Sequence, residues 1–213
     1  MDINIISIVA GKDEDVAISF EIVAGENRSI SKFWLPLSVF TRLSLSVGAS
    51  SQLVYETVER ESKIFYAFKK ALYLLNFGMQ SRKALLRKLV MRGCEAEIAN
   101  IALDRLVESQ LLSEEDSVVR EAEKCAEKLW GESRIRAHLV SKGYMDSDIK
   151  KAFYALEDNG VDFTSNCAKL IEKKYLPLPK DKKEMQKIIA ALARYGYSVS
   201  QIKSAILRGK KTF

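Results

Sequence analysis

The chain has 213 residues, of which 47% are hydrophobic, and only 3 prolines and 10 glycines interrupt it. This composition favours long helices around a buried core and excludes a chain that is disordered as a whole. The net charge of +6 is uneven, because residues 1–61 hold 5 of the 34 basic and 9 of the 28 acidic side chains. The strongly basic remainder indicates an anionic partner, although an ordinary lysine-rich helical surface would give the same count.

The three cysteines, Cys94, Cys125 and Cys167, are too far apart to form a CxxC zinc motif. They are predicted to be reduced, small apolar side chains, in a protein with no metal and no other cofactor. The N-terminus lacks the basic start and long apolar stretch of a signal peptide, and no segment has the length and hydropathy of a membrane span. We therefore expect a cytoplasmic monomer that contacts no membrane.

The N-terminal segment predicts a small sheet. β-branched and aromatic residues are concentrated in three runs, at 3–9, 16–23 and 30–35. Such runs, separated by polar turns, favour strands, and the second and third could form a hairpin. Pro36 ends the third run, and a short helix is expected near residues 38–46. Because two or three strands alone are marginally stable in water, this segment should pack against the helices behind it.

From about Glu56 the apolar residues recur at helical spacing. A first helix is expected to extend to about Leu75. Ser81 is a good N-cap for a second helix, which Gly93 ends, and a third helix should include residues 98–106.

The same pattern recurs around Gly143 and Gly196. When the three copies are aligned on these glycines without gaps, they share apolar residues at six positions. Before the glycine these are position −8 (Leu85, Ile135 and Ile188) and position −4 (Leu89, Leu139 and Leu192). After the glycine they are position +1 (Cys94, Tyr144 and Tyr197), position +6 (Ala99, Ile149 and Ile202), position +9 (Ala102, Ala152 and Ala205) and position +10 (Leu103, Phe153 and Ile206). The two earlier positions form one stripe of the second helix, and the later ones form the buried face of the third helix. The alanine allows the two helices to approach closely.

The glycines lie 50 and 53 residues apart, a spacing that fits a unit of three helices. The first helices of the second and third units are expected at about residues 117–129 and 163–175. We therefore predict a mainly α fold, in which three tandem three-helix repeats form an elongated, curved array behind a small strand-containing segment. The predicted boundaries are a β-rich extension at 1–60 and repeats at 61–112, 113–160 and 161–213.

The motifs of common enzymes are absent from the sequence. It contains no P-loop, no GxGxxG and no GxSxG. The one histidine, His138, has no carboxylate or cysteine beside it in the sequence, so we interpret it as an ordinary helix residue. Glu114 and Glu115 lie at a predicted helix start, where the helix dipole is sufficient to explain them, although they could bind a metal in principle. We expect a binding protein and not an enzyme, unless a site is assembled across the repeats.

Basic residues cluster on the second helix of each repeat. They are Arg82, Lys83, Arg87, Lys88 and Arg92 in the first repeat, Arg134, Arg136 and Lys142 in the second, and Lys182, Lys183, Lys187 and Arg194 in the third. Stacked repeats would bring these groups onto related faces, which suits a polyanion or an acidic protein groove, whereas the alternative is ordinary solvated charge. The paired helices are also similar to helix-turn-helix DNA readers, but they lack a recognition helix rich in Asn, Gln and Arg. Contacts to nucleic acid would therefore be to phosphates.

These residues resemble the RecX family of regulatory proteins. Residues 130–144, with Gly131, Arg134 and Leu139 ahead of Lys142-Gly143, are similar to that family's G-x-x-[RK]-[IL]-x-x-x-L-x-x-[KR]-G core. Residues 81–89 resemble its first-repeat motif, and residues 189–206 resemble its last repeat. Lys173 and Lys174 stand where the family has a basic-aromatic helix end. The resemblance covers about residues 60–208, and the strand-rich start resembles an extension found in many members.

Two positions depart from the family pattern. The acidic residue of its first-repeat motif is replaced by Ala84, and its Leu-Asp-Asp-aromatic segment is here Leu112-Ser113-Glu114-Glu115-Asp116-Ser117. These departures affect contacts attributed to those positions and leave the expected fold unchanged.

The resemblance implies a modulator of the RecA recombinase in recombination and SOS repair. Family members lodge in the groove of the RecA–DNA filament, and the expected effect is inhibition of RecA's ATPase, strand exchange and coprotease activities. The alternative is a sequence-independent DNA-binding protein, for single- or double-stranded DNA, that acts without RecA. The residues expected to face RecA or DNA are Arg82, Lys83, Arg87, Lys88, Arg92, Arg134, Arg136, Lys142, Lys173, Lys174, Lys187 and Arg194.

Overall fold

The computed structural model of the chain describes residues 2–12, 14–78 and 80–210. The chain divides into two compact units. The first consists of Met1–Gly78 and Leu85–Leu112, and the second of Met79–Ala84 and Ser113–Phe213. The first unit contains an antiparallel sheet and helices, whereas the second is helical in its described residues.

The sheet has the strand order β3-β2-β1-β4. Its strands are β1 (Asp2–Ala10), β2 (Asp15–Ala24), β3 (Asn27–Pro36) and β4 (Gly48–Ser50). The three predicted strands and the β2–β3 hairpin are confirmed, and the expected short helix is α1 (Leu37–Leu43). The short strand β4, which pairs with β1, was not predicted, because Gly-Ala-Ser has no alternation of apolar residues.

The sheet packs against α2 (Gln52–Asn76), as expected for a segment with too few strands to be stable alone. Phe20, Phe33 and Tyr55 form an edge-to-face group with ring centroids 5.2–5.9 Å apart. The helix begins earlier than the predicted Glu56, because the Ser51 hydroxyl accepts a hydrogen bond from the Val54 N–H and caps it. One helix therefore runs through residue 60 and contributes to both the sheet's core and the helical core.

The helices form three repeats, which confirms the predicted class of fold. Repeat 1 consists of α2, α3 (Arg82–Met91) and α4 (Ala96–Glu108); repeat 2 of α5 (Glu114–Glu127), α6 (Glu132–Lys142) and α7 (Asp146–Asp158); and repeat 3 of α8 (Phe163–Tyr175), α9 (Lys182–Arg194) and α10 (Val199–Lys210). Helix α8 coincides with its predicted bounds. Helix α5 begins before the predicted residue 117, because Ser113 accepts a hydrogen bond from the Asp116 N–H and acidic residues fill the first turn.

The six aligned positions supply the cores of the repeats. The alanines nine residues after each glycine, Ala102, Ala152 and Ala205, have no exposed surface. The leucines four residues before each glycine are also fully buried, and of the other aligned residues Cys94, Phe153, Ile188 and Ile206 are only partly buried. The sequence alignment therefore identifies the packed face of the second and third helices in every repeat.

The three glycines end the second helices in the left-handed conformation. Their φ angles are +85° at Gly93, +89° at Gly143 and +97° at Gly196. In each turn, the N–H of the residue after the glycine donates to the carbonyl of the leucine four residues before it, at 3.1–3.3 Å. This is the hydrogen bond that satisfies the last carbonyls of a helix when a glycine follows it. We call these three segments the glycine turns.

Each glycine turn leaves the carbonyl of the preceding residue pointing outward, and each of these carbonyls has a different donor. The Tyr195 carbonyl accepts from the Gly131 N–H at 2.7 Å. The Lys142 carbonyl accepts from the Ser81 hydroxyl at 2.6 Å, and the Arg92 carbonyl accepts from Lys70 Nζ at 3.1 Å. Ser81 and Gly131 occupy equivalent positions, twelve residues before their own glycines.

The contact between Gly131 and Gly196 requires that both residues lack a side chain. A Cβ atom on Gly131 would lie 2.3 Å from the Gly196 carbonyl carbon, and one on Gly196 would lie 2.5 Å from the Arg134 backbone nitrogen. Ser133 completes the contact by donating to the Gly196 carbonyl from both its N–H and its hydroxyl. The start of α6 therefore lies directly on the turn that ends α9.

Substituting alanine at two of the glycine turns should separate backbone strain from packing. A Cβ atom at residue 93 would have no other atom within 4 Å. Gly93→Ala should therefore lower the free energy of unfolding only by the strain of the left-handed conformation, about 1–2 kcal/mol. Gly196→Ala has a similar φ but also collides with the backbone of Arg134, so its loss should be larger by roughly 1–3 kcal/mol. Urea unfolding, followed by circular dichroism and tryptophan fluorescence, would measure both losses. Equal destabilisation would contradict the packing role of Gly196.

Candidate functional site

The predicted basic residues lie on four helices. Helix α3 carries Arg82, Lys83, Arg87 and Lys88, with Arg92 just beyond its end; α6 carries Arg134, Arg136 and Lys142; α8 carries Lys173 and Lys174; and α9 carries Lys182, Lys183, Lys187 and Arg194. Arg82, Lys88, Arg134 and Arg136 are half-buried, and the others are exposed. The sequence grouped these residues by charge, whereas the structure separates them by what their side chains contact.

Arg134 is held between two aromatic rings. Its guanidinium carbon lies 4.0 Å from the centroid of Trp130 and 5.1 Å from that of Tyr195. Both rings belong to the Gly131–Gly196 contact, so this cation stabilises the junction of repeats 2 and 3. The sequence could not reveal this role, because Tyr195 is 61 residues away along the chain.

Lys174 extends the same stack. Its Nζ donates to the Tyr195 hydroxyl at 2.5 Å and lies 4.9 Å from the ring centroid. This hydrogen bond lowers the pKa of Tyr195 and raises the pKa of Lys174. Lys174 therefore contacts its own chain, whereas the neighbouring Lys173 does not contact that ring.

Arg136 and Lys142 have acidic partners within the second unit. Arg136 lies 3.2 Å from Asp146 and 3.8 Å from Glu132, and its guanidinium covers the Phe153 ring at 5.0 Å. Lys142 Nζ is 3.7 Å from Glu121. Such partly exposed ion pairs contribute little, about 0–1 kcal/mol each, and an anionic partner could replace them.

The predicted acidic pair lies at helix starts, where it pairs with other groups. Glu114 accepts a hydrogen bond from the Arg82 backbone N–H at 3.0 Å, and Glu115 accepts one from Lys151 at 2.9 Å. The Lys83 side chain would lie 3.1–3.3 Å from a Cβ on Gly143, so its carbon stem packs on that glycine turn. These contacts explain the acidic pair without a metal.

Eight predicted basic residues make neither a hydrogen bond nor an ion pair through their side chains to any residue in the described part of the chain. All eight are exposed: Lys83, Arg87, Arg92, Lys173, Lys182, Lys183, Lys187 and Arg194. Their charges do not stabilise the fold directly, so they are the best candidates for contacts with a partner. We call these residues the solvent-facing cations.

His138 is a half-buried residue of α6, and it has partners in the structure that its sequence neighbours do not show. Its Nε2 donates to the Glu121 carboxylate at 2.8 Å, and its ring meets the edge of Trp130 at a centroid distance of 5.3 Å. Cys125 lies one turn beyond Glu121 on α5, and ligand atoms of Glu121, Cys125 and His138 all lie within 4.8 Å of one another. The packing of α6 on α5 creates this cluster, so spacing in the sequence could not show it.

Burial and neighbouring groups both shift the pKa values of this cluster. Burial alone would raise the pKa of Glu121, but the hydrogen bond from His138 and the charge of Lys142 bring it below its ordinary value. Burial and the nearby carboxylate both raise the pKa of the Cys125 thiol. The cluster therefore contains an ionised carboxylate and a protonated thiol near neutral pH.

Helix α2 carries an exposed aromatic stripe that the sequence reading did not identify. Tyr66 and Tyr73 lie on α2 and Phe77 caps its C-terminal end; they are 59%, 57% and 73% exposed and follow one face at spacings of seven and four residues. Lys70 lies on the same face, with Nζ 4.2 Å from the Tyr66 ring centroid. The sequence does contain these aromatic residues at helical spacing. Because such a stripe usually indicates a buried core, the spacing alone did not identify an exposed surface.

No helix within residues 2–12, 14–78 and 80–210 is long and apolar enough to cross a membrane.

Comparison with known proteins gives consistent matches. The model of the first three-helix domain of RecX matches residues 67–106, and the model of the third three-helix domain of RecX matches residues 162–206. The "Regulatory protein RecX" of Ectopseudomonas mendocina is 35% identical over 142 residues, which cover 66% of this chain and 92% of the relative. That of Xanthomonas axonopodis pv. citri is 32% identical over 138 residues, covering 64% and 83%.

Two solved structures share the fold. A crystal structure of a regulatory protein RecX aligns with a TM-score of 0.73 and 21% identity, over 94% of this chain and 98% of the other. The structure of RecX from Lactobacillus salivarius aligns with a TM-score of 0.60 and 19% identity, over 68% and 96%. Identity this low supports the fold alone, whereas the curated relatives are close enough to define the family. With its three-helix repeats and glycine turns, the chain belongs to the RecX family of regulatory proteins.

Proposed function

We propose that this chain is a cytoplasmic regulator that binds the RecA–DNA filament in its groove and inhibits RecA's ATPase, strand exchange and coprotease activities. Membership of the RecX family supports a regulatory role. The observation that carries the proposal is the set of solvent-facing cations, which lie on or beside the second helices of repeats 1 and 3 and on α8. Their charges are available to a partner because no described residue neutralises them.

A repeat protein is suited to a filament, because successive repeats can contact successive protomers. Each exposed charge contact contributes about 0–1 kcal/mol. Several such contacts made by one chain add through a high effective concentration, and binding would therefore be sensitive to salt. The protein would act by occupying the filament without chemistry of its own.

We expect the DNA-dependent ATPase of RecA to fall as this protein is added, because a ligand that bridges protomers should limit filament growth. The measurement is the rate of ATP hydrolysis on single-stranded DNA at increasing ratios of this protein to RecA. An unchanged rate at every ratio in moderate salt would contradict the proposal, and stimulation would contradict its direction.

Charge reversal at two solvent-facing cations should weaken the inhibition. The double substitution Arg87→Glu and Lys187→Glu removes two attractive contacts and adds two repulsive ones, so we expect the half-inhibitory concentration to rise about tenfold or more. Neither side chain makes a polar contact within the described residues, so the helix content should stay the same. Inhibition titrations with the wild type and the variant, at one salt concentration, measure the effect.

The matched control is Lys12→Glu with Arg120→Glu. Both residues are exposed, neither belongs to the predicted surface, and the pair makes the same change in net charge. Equal weakening by the two double variants would show that net charge alone matters and would refute the assignment. Arg134 is a poor site for this test, because its reversal would also disrupt the stack with Trp130 and Tyr195.

The aromatic stripe on α2 favours a second candidate function, sequence-independent binding of single-stranded DNA without RecA. Exposed aromatic rings beside lysines are the elements on which unpaired bases stack. If this is the function, binding should weaken steeply with salt, and Tyr73→Ala should reduce affinity by about 1–3 kcal/mol. Fluorescence anisotropy with labelled DNA would test it.

The control for that experiment is Tyr154→Ala, which removes a tyrosine on α7 that is 69% exposed. Equal affinities for both variants would count against stacking on α2. Tight DNA binding without an effect on RecA would favour this candidate over the filament regulator.

A further inference from the structure

The cluster of Glu121, Cys125 and His138 has no part in the proposed partner surface. The chain contains one histidine and three cysteines, and this histidine lies beside a cysteine and a carboxylate inside the second unit. His138 and Glu121 are joined by a hydrogen bond, and Cys125, a buried residue of the repeat 2 core, lies beside them.

Two helices bring the donors together. Glu121 and Cys125 are four residues apart on α5, so their side chains lie on one face of that helix. His138 reaches them from α6, where Trp130 contacts the edge of its ring. The three possible ligand atoms lie within 4.8 Å of one another. Because each donor is attached to a packed helix, the set is held in place before any ligand arrives.

The donor set also has the right chemistry for one class of ion. Imidazole nitrogen, thiolate sulfur and carboxylate oxygen are the three ligand types that zinc accepts, and three protein ligands leave a fourth position open. Hard cations such as calcium and magnesium prefer oxygen alone. The mixed set therefore selects a borderline divalent transition-metal ion.

The three side chains of the cluster differ in how deeply they are buried. Cys125 is 1% exposed, whereas the side chains of Glu121 and His138 are 21% and 25% exposed. An ion can therefore approach from the side of the carboxylate and the imidazole, with the thiol at the inner end. Lys142, at 3.7 Å from Glu121, is the nearest competing cation and lies on a flexible, exposed side chain that can move away.

We propose that Glu121, Cys125 and His138 form a three-ligand site for a divalent transition-metal ion, with zinc as the best match. On binding, the hydrogen bond between His138 and Glu121 is exchanged for two bonds to the ion, and the Cys125 thiol releases one proton to solvent as its sulfur becomes a ligand. The imidazole binds in its neutral form: the proton that Nε2 donates to Glu121 moves through solvent to Nδ1, which frees the Nε2 lone pair for the ion, and the carboxylate is already ionised. The ion would join α5 to α6 at one end of the repeat 2 core.

Cobalt(II) is a spectroscopic probe for the site. Titration of the full chain with cobalt should give a charge-transfer band from sulfur to cobalt that saturates at one equivalent, and zinc should then remove it. Zinc should also raise the melting temperature, since an ion that binds only the folded chain stabilises it. An absent band, or a band that rises without saturation, would overturn the proposal.

Matched cysteine variants test the assignment. Cys125→Ser should abolish the charge-transfer band, whereas Cys94→Ser, in the other unit, should keep it. The reverse pattern, or a band that survives in both variants, would place the ion elsewhere and refute the site. Circular dichroism of each variant confirms that its helices are intact.

Two further variants keep the proposal testable if the buried Cys125→Ser fails to fold. His138→Gln and Glu121→Gln change half-buried side chains, and each should lower the affinity for zinc about tenfold or more while the helix content is kept. Unchanged zinc affinity in both variants would overturn the proposal. RecA inhibition is measured separately, so failure of the metal site and failure of the regulatory role are distinguishable.

Discussion

The outward carbonyl before each glycine turn is the constraint on which the helical part of this protein depends. A helix that ends on a left-handed glycine satisfies its inner carbonyls locally, but the carbonyl before the glycine takes its donor from water or from another part of the chain. The Tyr195 carbonyl has the Gly131 N–H, and the Lys142 carbonyl has the Ser81 hydroxyl. Since both donors stand at a helix start, the end of one helix and the start of another satisfy each other's unpaired backbone groups.

The same constraint separates two basic residues that a charge count would group together. Arg134 follows Gly131 closely and is consequently drawn into the junction, where Trp130 and Tyr195 enclose its guanidinium. Arg87 stands on the equivalent helix of repeat 1 without a polar partner among the described residues. Residues that look alike in a charge count therefore have different roles. Arg134 holds repeats 2 and 3 together, whereas Arg87 extends into solvent.

Much of the fold could be predicted because its determinants are local. The glycines, the leucine four residues before each and the alanine nine residues after it identified the helix ends and the buried faces, which the structure confirms. The start of α2 and the strand β4 were missed, because one depends on a cap outside the apolar pattern and the other on pairing with β1. The candidate site was less predictable, since contacts such as Arg134 with Tyr195 join residues that only the packing of helices brings together.

Two residues of α6 connect the proposed metal site with the proposed partner surface. His138 and Lys142 both contact the Glu121 carboxylate on α5, at 2.8 and 3.7 Å. A carboxylate that ligates a divalent ion has part of its charge neutralised, so it attracts a neighbouring ammonium group less strongly. Lys142 would then be released toward solvent, beyond the reach of its internal partner. Occupancy of the cluster would in this way add one cation to those available for an anionic partner, which gives a metal site inside repeat 2 a physical route to affect binding at its surface.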